Sequence, residues 1–418
     1  MNVLHVNTYE AGGAGKACLR LHENLLKQGV DSNLLVLYRS ASEVRNVHSF
    51  LSFHAALEKN IFQKIEGRIR RLFEDTRSHE EHLANQPAGF EWFTAVRTAY
   101  DITLHPLYAK ADIVHLHWVG DFLDFKTFFR NNKKRIVWTM QDMNPITGGC
   151  HYSSGCTRFT SDCHDCPQLQ GTADTGYAQK NLQLKKKSIS GAQIHMIASS
   201  GWLTGLSKES LLFSRNPHSM IFNGSDPAVF DPIDRNAARD LFGIPKNKTV
   251  ILFIANLDNP RKGYQFVRDA FRTFSEREDV FLCVAGESKT APENIPNCRF
   301  IGKISDEKTL NAFYSAGDIL LIPSLEDDLP NTIIEALLCG TPVIGFPVGG
   351  IGEMLMNDQN GFLCPGIGVA PLTQRIRDFL SAPGKFNRQE IRKNTIQKFS
   401  INVQVKKYIE LYNKMITN

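Results

Sequence analysis

The chain contains 418 residues with ordinary hydrophobic (42%) and charged (22%) fractions, which predicts two or three globular domains. This composition excludes extensive disorder, collagen and coiled coil, and the sequence has no run of about 18 apolar residues that would predict a transmembrane helix. The net charge of +5 permits an anionic ligand or an anionic membrane surface but does not predict nucleic-acid binding. Because the first residues lack the basic and apolar regions of a secretory signal, we expect a cytoplasmic protein.

Short apolar runs alternate with helical stretches along most of the chain. Nine of these runs are expected to be strands: residues 3–6, 34–37, 113–115, 136–139, 194–198, 250–254, 281–284, 319–322 and 342–345. Several are apolar on both faces, as parallel strands covered by helices are. The alternation therefore predicts an α/β protein with doubly wound parallel sheets.

A stretch rich in proline and glycine at residues 216–247 marks the expected domain boundary, and a fresh strand follows it. We expect a first domain over residues 1–216 and a second over residues 217–385. Residues 386–418 have a helical pattern, and we expect these C-terminal helices to pack back on the first domain.

Residues 58–75 combine apolar positions at helical spacing with five lysines and arginines. A basic amphipathic helix of this kind can lie on an anionic membrane, which would place the protein on the cytoplasmic face of the inner membrane. The alternative is an ordinary surface helix whose apolar stripe packs on the core. The pattern alone leaves both interpretations open.

A glycine-rich loop with Gly12, Gly13 and Gly15 directly follows the first predicted strand. Such a loop, opening a helix, can present backbone N–H groups to an anion. It does not match a Walker A motif, because Glu10 stands where that motif has its first glycine. The alternative interpretation is a tight turn between a strand and a helix.

Two further loops carry charge after predicted strands. Residues 323–336 form a polar loop leading into a helix, with Asp327 in the loop and Glu335 about one turn into the helix. The start of that helix could hold a phosphate, and the carboxylate inside it could accept hydrogen bonds from ribose hydroxyls. Arg261 and Lys262 follow the strand at 250–254 and could neutralise a diphosphate.

Together these segments resemble the retaining GT-B glycosyltransferases of glycosyltransferase family 4, and within it a polysaccharide-biosynthesis subgroup of colanic-acid type. The matching stretches are the early glycine loop and residues 112–117, 222–226, 261–263 and 327–335. The resemblance implies two Rossmann-like domains facing a cleft, the first binding the acceptor and the second a nucleotide-diphospho-sugar donor. It implies retaining transfer from a UDP- or GDP-sugar to a hydroxyl of a growing, lipid-linked surface polysaccharide, without a catalytic metal.

The resemblance also implies roles for single residues. Arg261 and Lys262 resemble the basic pair that holds the donor diphosphate, and Glu335 resembles the carboxylate on the donor ribose. His117 and Asp327 resemble residues near the transferred sugar, with Glu326 as the alternative to Asp327. The remaining implied contacts to the sugar or the phosphates are Gly12, Gly13, Gly15, Leu329, Asn331 and Thr332.

Three positions depart from the family pattern. Asp327 replaces a glutamate, Asn256 stands where an arginine is usual, and Gln141 replaces a histidine in the stretch that ends at Asp142. We expect Arg261 to supply the charge missing at position 256. These departures would support one alternative, a scaffold or binding subunit that has lost activity. The GT-B fold that the resemblance implies also leaves open a nucleotide-sugar epimerase.

Four cysteines lie within 17 residues of one another, at Cys150, Cys156, Cys163 and Cys166. In a reducing compartment this density, with its C-x-x-C pair, predicts a structural zinc site in an insert spanning residues 148–169. Two disulfides, or thiols that are simply buried, are the alternatives.

Overall fold

The computed structural model describes residues 1–40, 42–57, 79, 83, 86–87, 89–169, 176–289 and 293–417. The chain forms two compact units, Met1–Phe222 together with Val405–Asn418, and Asn223–Gln404. The predicted basic segment, residues 58–75, lies wholly outside the described residues, so its two interpretations stay predictions.

The first unit is built on one parallel sheet of seven strands in the order β3-β2-β1-β4-β5-β6-β7. The strands are β1 (Asn2–Tyr9), β2 (Asp31–Tyr38), β3 (Val47–Ser49), β4 (Ile113–Leu116), β5 (Arg135–Met140), β6 (Ile194–Ala198) and β7 (His218–Met220). The central strands are buried on both faces, as the continuous apolar runs predict.

Helices of the first unit connect these strands. They are α1 (Gly12–Lys27), α2 (Phe50–Leu57), α3 (Pro106–Lys110), α4 (Phe125–Asn131), α5 (Tyr177–Ile189) and α6 (Gly201–Glu209). Their starts are fixed by side-chain caps where the sequence supplies them. Asp124 accepts from the Thr127 N–H at the start of α4, and Ser200 accepts from the Leu203 N–H at the start of α6.

The second unit has a parallel sheet of six strands in the order β10-β9-β8-β11-β12-β13. The strands are β8 (Thr249–Ile254), β9 (Val280–Ala285), β10 (Cys298–Phe300), β11 (Ile319–Ile322), β12 (Val343–Gly345) and β13 (Gly361–Leu363). The helices are α7 (Arg235–Phe242), α8 (Tyr264–Arg272), α9 (Glu307–Ala316), α10 (Asn331–Leu338), α11 (Ile351–Met354), α12 (Val369–Ser381) and α13 (Arg388–Phe399).

All nine predicted strands are present, and the doubly wound α/β prediction is confirmed. The four additional strands, β3, β7, β10 and β13, are each three residues long. Runs this short carry too few positions for an apolar pattern to stand out.

The last helix, α14 (Ile401–Thr417), begins in the second unit and ends in the first, where the chain returns at Val405. Its Tyr408 and Tyr412 are fully buried in the first unit. The Tyr412 hydroxyl lies 2.6 Å from Nδ1 of His115, and the Tyr408 hydroxyl lies 2.7 Å from the Thr139 hydroxyl. The C-terminal segment is therefore tied to β4 and β5 by buried hydrogen bonds.

None of the described helices has both the length and the apolar character needed to cross a membrane.

Replacing Tyr412 by phenylalanine should destabilise the first unit, because Nδ1 of buried His115 loses its partner. An unsatisfied buried polar group costs about 1–3 kcal/mol, which thermal and urea unfolding would detect. Tyr38→Phe, at a tyrosine that is 46% exposed, is the matched control and should be close to neutral. Equal stabilities of the two variants would contradict a stabilising role for this hydrogen bond.

Candidate active site

The sheet order of each unit reverses at one place, between β1 and β4 in the first unit and between β8 and β11 in the second. In open α/β sheets, the carboxyl ends of the strands at such a point form the usual ligand crevice. Every predicted site residue except the cysteines lies in or just after a loop that follows one of these four strands. The topology thus explains why residues distant in sequence are candidates for a common site within each unit.

In the second unit, the loop after β8 packs directly on the loop after β11. The Leu325 N–H donates to the Arg261 carbonyl over 2.7 Å. Gly263 has a φ of +75°, and a Cβ there would lie 1.9 Å from the Pro323 carbonyl oxygen. Glycine is therefore required after the basic pair, because any side chain would push the two loops apart.

The two loops are also joined by charge. Lys262 Nζ donates to Oδ2 of Asp327 over 2.6 Å, and the Arg261 guanidinium lies 3.6 Å from the same oxygen. Arg261 also donates to the carbonyl of Glu326 over 2.6 Å, while the Ser324 hydroxyl donates to Asp327 over 3.2 Å. Two cations thus face a carboxylate that is only 6% exposed.

This arrangement keeps Asp327 ionised. Burial pushes the pKa of the Asp327 carboxyl upward, but the charges of Lys262 and Arg261 outweigh it and hold that pKa below its ordinary value. Glu326, next to it, is half-buried, and its backbone carbonyl accepts from Arg261. Which of the two acids acts near the transferred sugar stays a prediction.

Helix α10 begins where this loop ends and carries the remaining predicted residues. Glu335 is buried inside the helix, and its Oε2 accepts from the Tyr314 hydroxyl over 3.0 Å. Asn331 begins the helix, and its buried Oδ1 has no hydrogen-bond partner among the described residues. Leu329 is buried and Thr332 half-buried beside them. A polar ligand at this helix start would meet backbone N–H groups and an unused acceptor.

Another glycine-rich turn, at residues 349–352, packs against the backbone of Asp327. Gly349 has a φ of +52°, and a Cβ there would lie 1.6 Å from the Asp327 carbonyl oxygen. The Gly350 N–H donates to the Asp328 carbonyl over 2.8 Å. This contact, like Ser324 and Tyr314, was not identified from the sequence, because each depends on residues brought close only by the fold.

In the first unit, the early glycine loop opens helix α1 after β1, as predicted. Gly12 has a φ of +78°, and a Cβ on Gly15 would lie 2.6 Å from the Tyr9 carbonyl oxygen. Both positions therefore need glycine for the tight turn alone. Gly13 has open space around its Cα, so the turn does not explain its identity.

His117 lies after β4 in a buried cluster with His5 and His115. His5 Nδ1 is 2.9 Å from His117 Nε2, and the rings of His115 and His117 are 4.0 Å apart. Burial lowers the pKa of His117 to about 3 and the pKa values of the other two well below the usual range. All three imidazoles are therefore neutral near pH 7. Nδ1 of His117 has no partner among the described residues.

One nitrogen from each of these three histidines lies within 4.8 Å of the other two. Among the described residues, no other three histidines, cysteines or acidic residues bring potential metal ligands this close together. Both nitrogens of His115 are nevertheless already engaged, with the hydroxyls of Tyr412 and Thr139. The His115 imidazole is thus held by hydrogen bonds at both of its nitrogens.

The cysteine-rich insert also lies in the first unit. Its four cysteines line one cavity of about 20 Å³ together with His164. All nine cysteines of the chain are in the described ranges, and none is joined in a disulfide there. The insert is packed around Phe93, Leu169 and Tyr177.

Comparison with known proteins agrees with this architecture. Residues 248–382 match the family model described as "Glycosyl transferases group 1". The chain is 26% identical over 183 residues to D-inositol 3-phosphate glycosyltransferase 2 of Catenulispora acidiphila, covering 40% of this chain and 43% of that protein. It is 28% identical over 175 residues to D-inositol 3-phosphate glycosyltransferase of Mycobacteroides abscessus, covering 40% and 38%. These matches span about four tenths of the length of the curated relatives.

Solved structures match over the whole length. Sucrose-phosphate synthase from Thermosynechococcus elongatus superimposes with a TM-score of 0.68 at 15% identity and covers 100% of both chains. Anabaena Alr3699/HepE in complex with UDP-glucose gives a TM-score of 0.63 at 17% identity, covering 99% of this chain and 100% of that one. The chain therefore has the GT-B architecture, two Rossmann-like parallel-sheet units, and its second unit carries the segment similar to group 1 glycosyl transferases.

Replacing Lys262 by methionine should destabilise the second unit, because it removes the nearest cation from buried Asp327. With Arg261 still close, we expect a loss of about 2 kcal/mol near pH 7, below the range for a fully broken buried pair. The loss should shrink as the pH falls, because a carboxylate with a lowered pKa contributes stability above its unfolded pKa of about 3.9 and loses it on protonation.

Calorimetric unfolding between pH 3 and 8 would measure this effect. Lys246→Met is the control, because its ion pair with Asp240 is 2.8 Å long but both side chains are more than half exposed. A Lys262→Met loss that is equal at all pH values would show that the ion pair is not its cause.

Proposed function

We propose that the protein is a glycosyltransferase that moves a sugar, with retention, from a nucleotide-diphospho-sugar to a hydroxyl of a growing glycan. The observation that carries this proposal is the pair of cations, Arg261 and Lys262, at the carboxyl end of β8 beside the start of α10. The match of residues 248–382 to group 1 glycosyl transferases covers these features.

The donor would bind in the second unit. Arg261 and Lys262 would neutralise the diphosphate, with the start of α10 contributing backbone N–H groups near Leu329, Asn331 and Thr332. Glu335, which is buried about one turn into α10, would accept hydrogen bonds from the ribose hydroxyls. Asp327, or Glu326 beside it, would orient the transferred sugar.

Catalysis would rest on stabilising the charge that develops on the leaving diphosphate. The acceptor hydroxyl attacks the anomeric carbon on the face from which the diphosphate leaves, and its proton passes to a diphosphate oxygen. This course needs neither a protein nucleophile nor a catalytic metal, and it retains the anomeric configuration. A similar protein, Anabaena Alr3699/HepE, is described in complex with UDP-glucose, which makes a UDP-sugar the first donor to test and a GDP-sugar the second.

For the first unit we propose acceptor binding at the carboxyl ends of β1 and β4. Gly12, Gly13 and Gly15 lie at one strand end, and His117 follows the other. For these residues we keep the roles that the resemblance implies, the glycines toward the donor phosphates and His117 toward the transferred sugar. The neutral imidazole of His117 suits hydrogen bonding to sugar hydroxyls better than binding to a charged group. The acceptor we propose is a lipid-linked oligosaccharide of a bacterial surface polysaccharide of colanic-acid type, reached from the cytoplasmic face of the inner membrane through residues 58–75.

Two other functions compete with this one, an inactive binding subunit and a nucleotide-sugar epimerase. The Lys262–Asp327 ion pair and the buried Glu335 favour an active transferase over a subunit that has lost its site. Incubation with donor alone separates the enzymes, because an epimerase would change the free nucleotide sugar and a transferase would require an acceptor.

Titration calorimetry with UDP, GDP, ADP and TDP should show binding of one nucleotide. Lys262→Ala and Glu335→Ala should each weaken it at least tenfold, which corresponds to about 1.4 kcal/mol, because each removes a group assigned to the nucleotide. Lys246→Ala, an exposed lysine of the same unit, is the control and should bind like the parent.

Absence of binding by any of the four nucleotides to the folded chain would remove the donor site as assigned. Binding that survives both substitutions would move the nucleotide away from these two residues while leaving the fold assignment intact.

A further inference from the structure

We infer that the cysteine-rich insert of the first unit is a closed zinc site and that buried Lys185 is its counter-ion. The ligands are Cys150, Cys156, Cys163 and Cys166. This inference concerns the first unit alone and is independent of donor binding by the second.

The four cysteines line one small cavity. Its volume is about 20 Å³, which is room for one water-sized species. No three of the described cysteine sulfurs approach one another within 4.8 Å, so binding would have to draw them closer together. Thiolate sulfur is the ligand that structural zinc sites prefer, and four of them close the coordination sphere.

The backbone around the C-x-x-C pair forms a tight turn. Cys163 and Asp165 have φ values of 56° and 42°, a left-handed conformation that residues with side chains rarely adopt. Arg158 holds this turn by donating from its guanidinium to the carbonyls of His164, at 2.9 Å, and Asp165. Contacts of this kind orient the ligands of metal sites.

Lys185 of helix α5 is a buried lysine near the insert. It is 1% exposed, and its Nζ donates to the carbonyl of Asn144 over 2.6 Å. The side-chain amide of Asn144 in turn donates to the Gly149 carbonyl over 2.7 Å, one residue before Cys150. The carboxylate of Asp142 also acts on the Lys185 ammonium. A buried ammonium needs negative charge nearby. Four thiolates around Zn²⁺ carry a net double negative charge, which Lys185 would partly balance.

Zinc binding exchanges four thiol protons for one metal ion. Each of the four thiols loses its proton to solvent, each thiolate sulfur forms one bond to the ion, and no oxidation occurs. The alternative, two disulfides, requires an oxidant and would leave Lys185 without this negative charge.

The zinc site would stabilise the loops that follow β4 and β5. His151 follows Cys150 directly, and its Nδ1 lies 2.7 Å from Asp142 Oδ2, just after β5. Asp142 also accepts from the Trp118 indole over 2.7 Å, just after β4. Loss of the ion should therefore loosen the carboxyl ends of two neighbouring strands.

Elemental analysis of the full chain, purified under reducing conditions without added chelator, should find about one zinc per chain. Cys163→Ser with Cys166→Ser should lose it, whereas Cys298→Ser, at a thiol outside the cluster, should keep it. Cobalt-exchanged protein should show the absorption of tetrahedral thiolate coordination. A reduced, folded chain that holds no zinc after reconstitution would overturn the site, as would four alkylation-resistant cysteines that become reactive only after reduction.

Lys185→Gln should release zinc to a chromogenic chelator at least tenfold faster than the parent. Lys186→Gln, at the exposed neighbour on the same helix, should match the parent, and Lys185→Arg should restore slow release. Circular dichroism checks that each variant is folded. Equal release rates for Lys185→Gln and Lys186→Gln would refute the counter-ion role while leaving the zinc ligands in place.

Discussion

A buried carboxylate must keep a cation beside it, and the candidate site of the second unit is arranged around that constraint. Asp327 satisfies it with Lys262 at 2.6 Å. The two residues follow β11 and β8, which are adjacent in the parallel sheet, so the pair forms across neighbouring loops. Gly263 and Gly349 then permit backbone approaches that any side chain would block.

The same constraint places two cations beside one buried carboxylate. Arg261 and Lys262 both lie within 4 Å of Asp327 Oδ2. An anion arriving at the start of α10 would meet these two side chains together with the positive end of the helix. The ion pair also keeps Lys262 in place while no anion is bound.

Much of the fold was predictable because its signals are local. Nine strands follow from apolar runs, and the start of α10 follows from a polar loop ending at Pro330. The pairing of Lys262 with Asp327 was not predicted, since the two are 65 residues apart and the sequence suggests separate roles for each. The cluster around His117 was also missed. It arises because the register pairs His5 with His115 across β1 and β4, and a single histidine in a strand carries no such signal.

The buried cluster beside β1 and β4 in the first unit consists of neutral groups, because its three histidines are uncharged near pH 7. The departure at Gln141 is informative in this respect. The resembling subgroup has a histidine there, beside the residue equivalent to Asp142. Here Asp142 pairs instead with His151, whose other nitrogen lies 3.1 Å from the Thr94 hydroxyl. The imidazole beside Asp142 thus comes from His151, nine residues later in the chain and next to Cys150. The glutamine at position 141 therefore does not deprive Asp142 of a histidine partner.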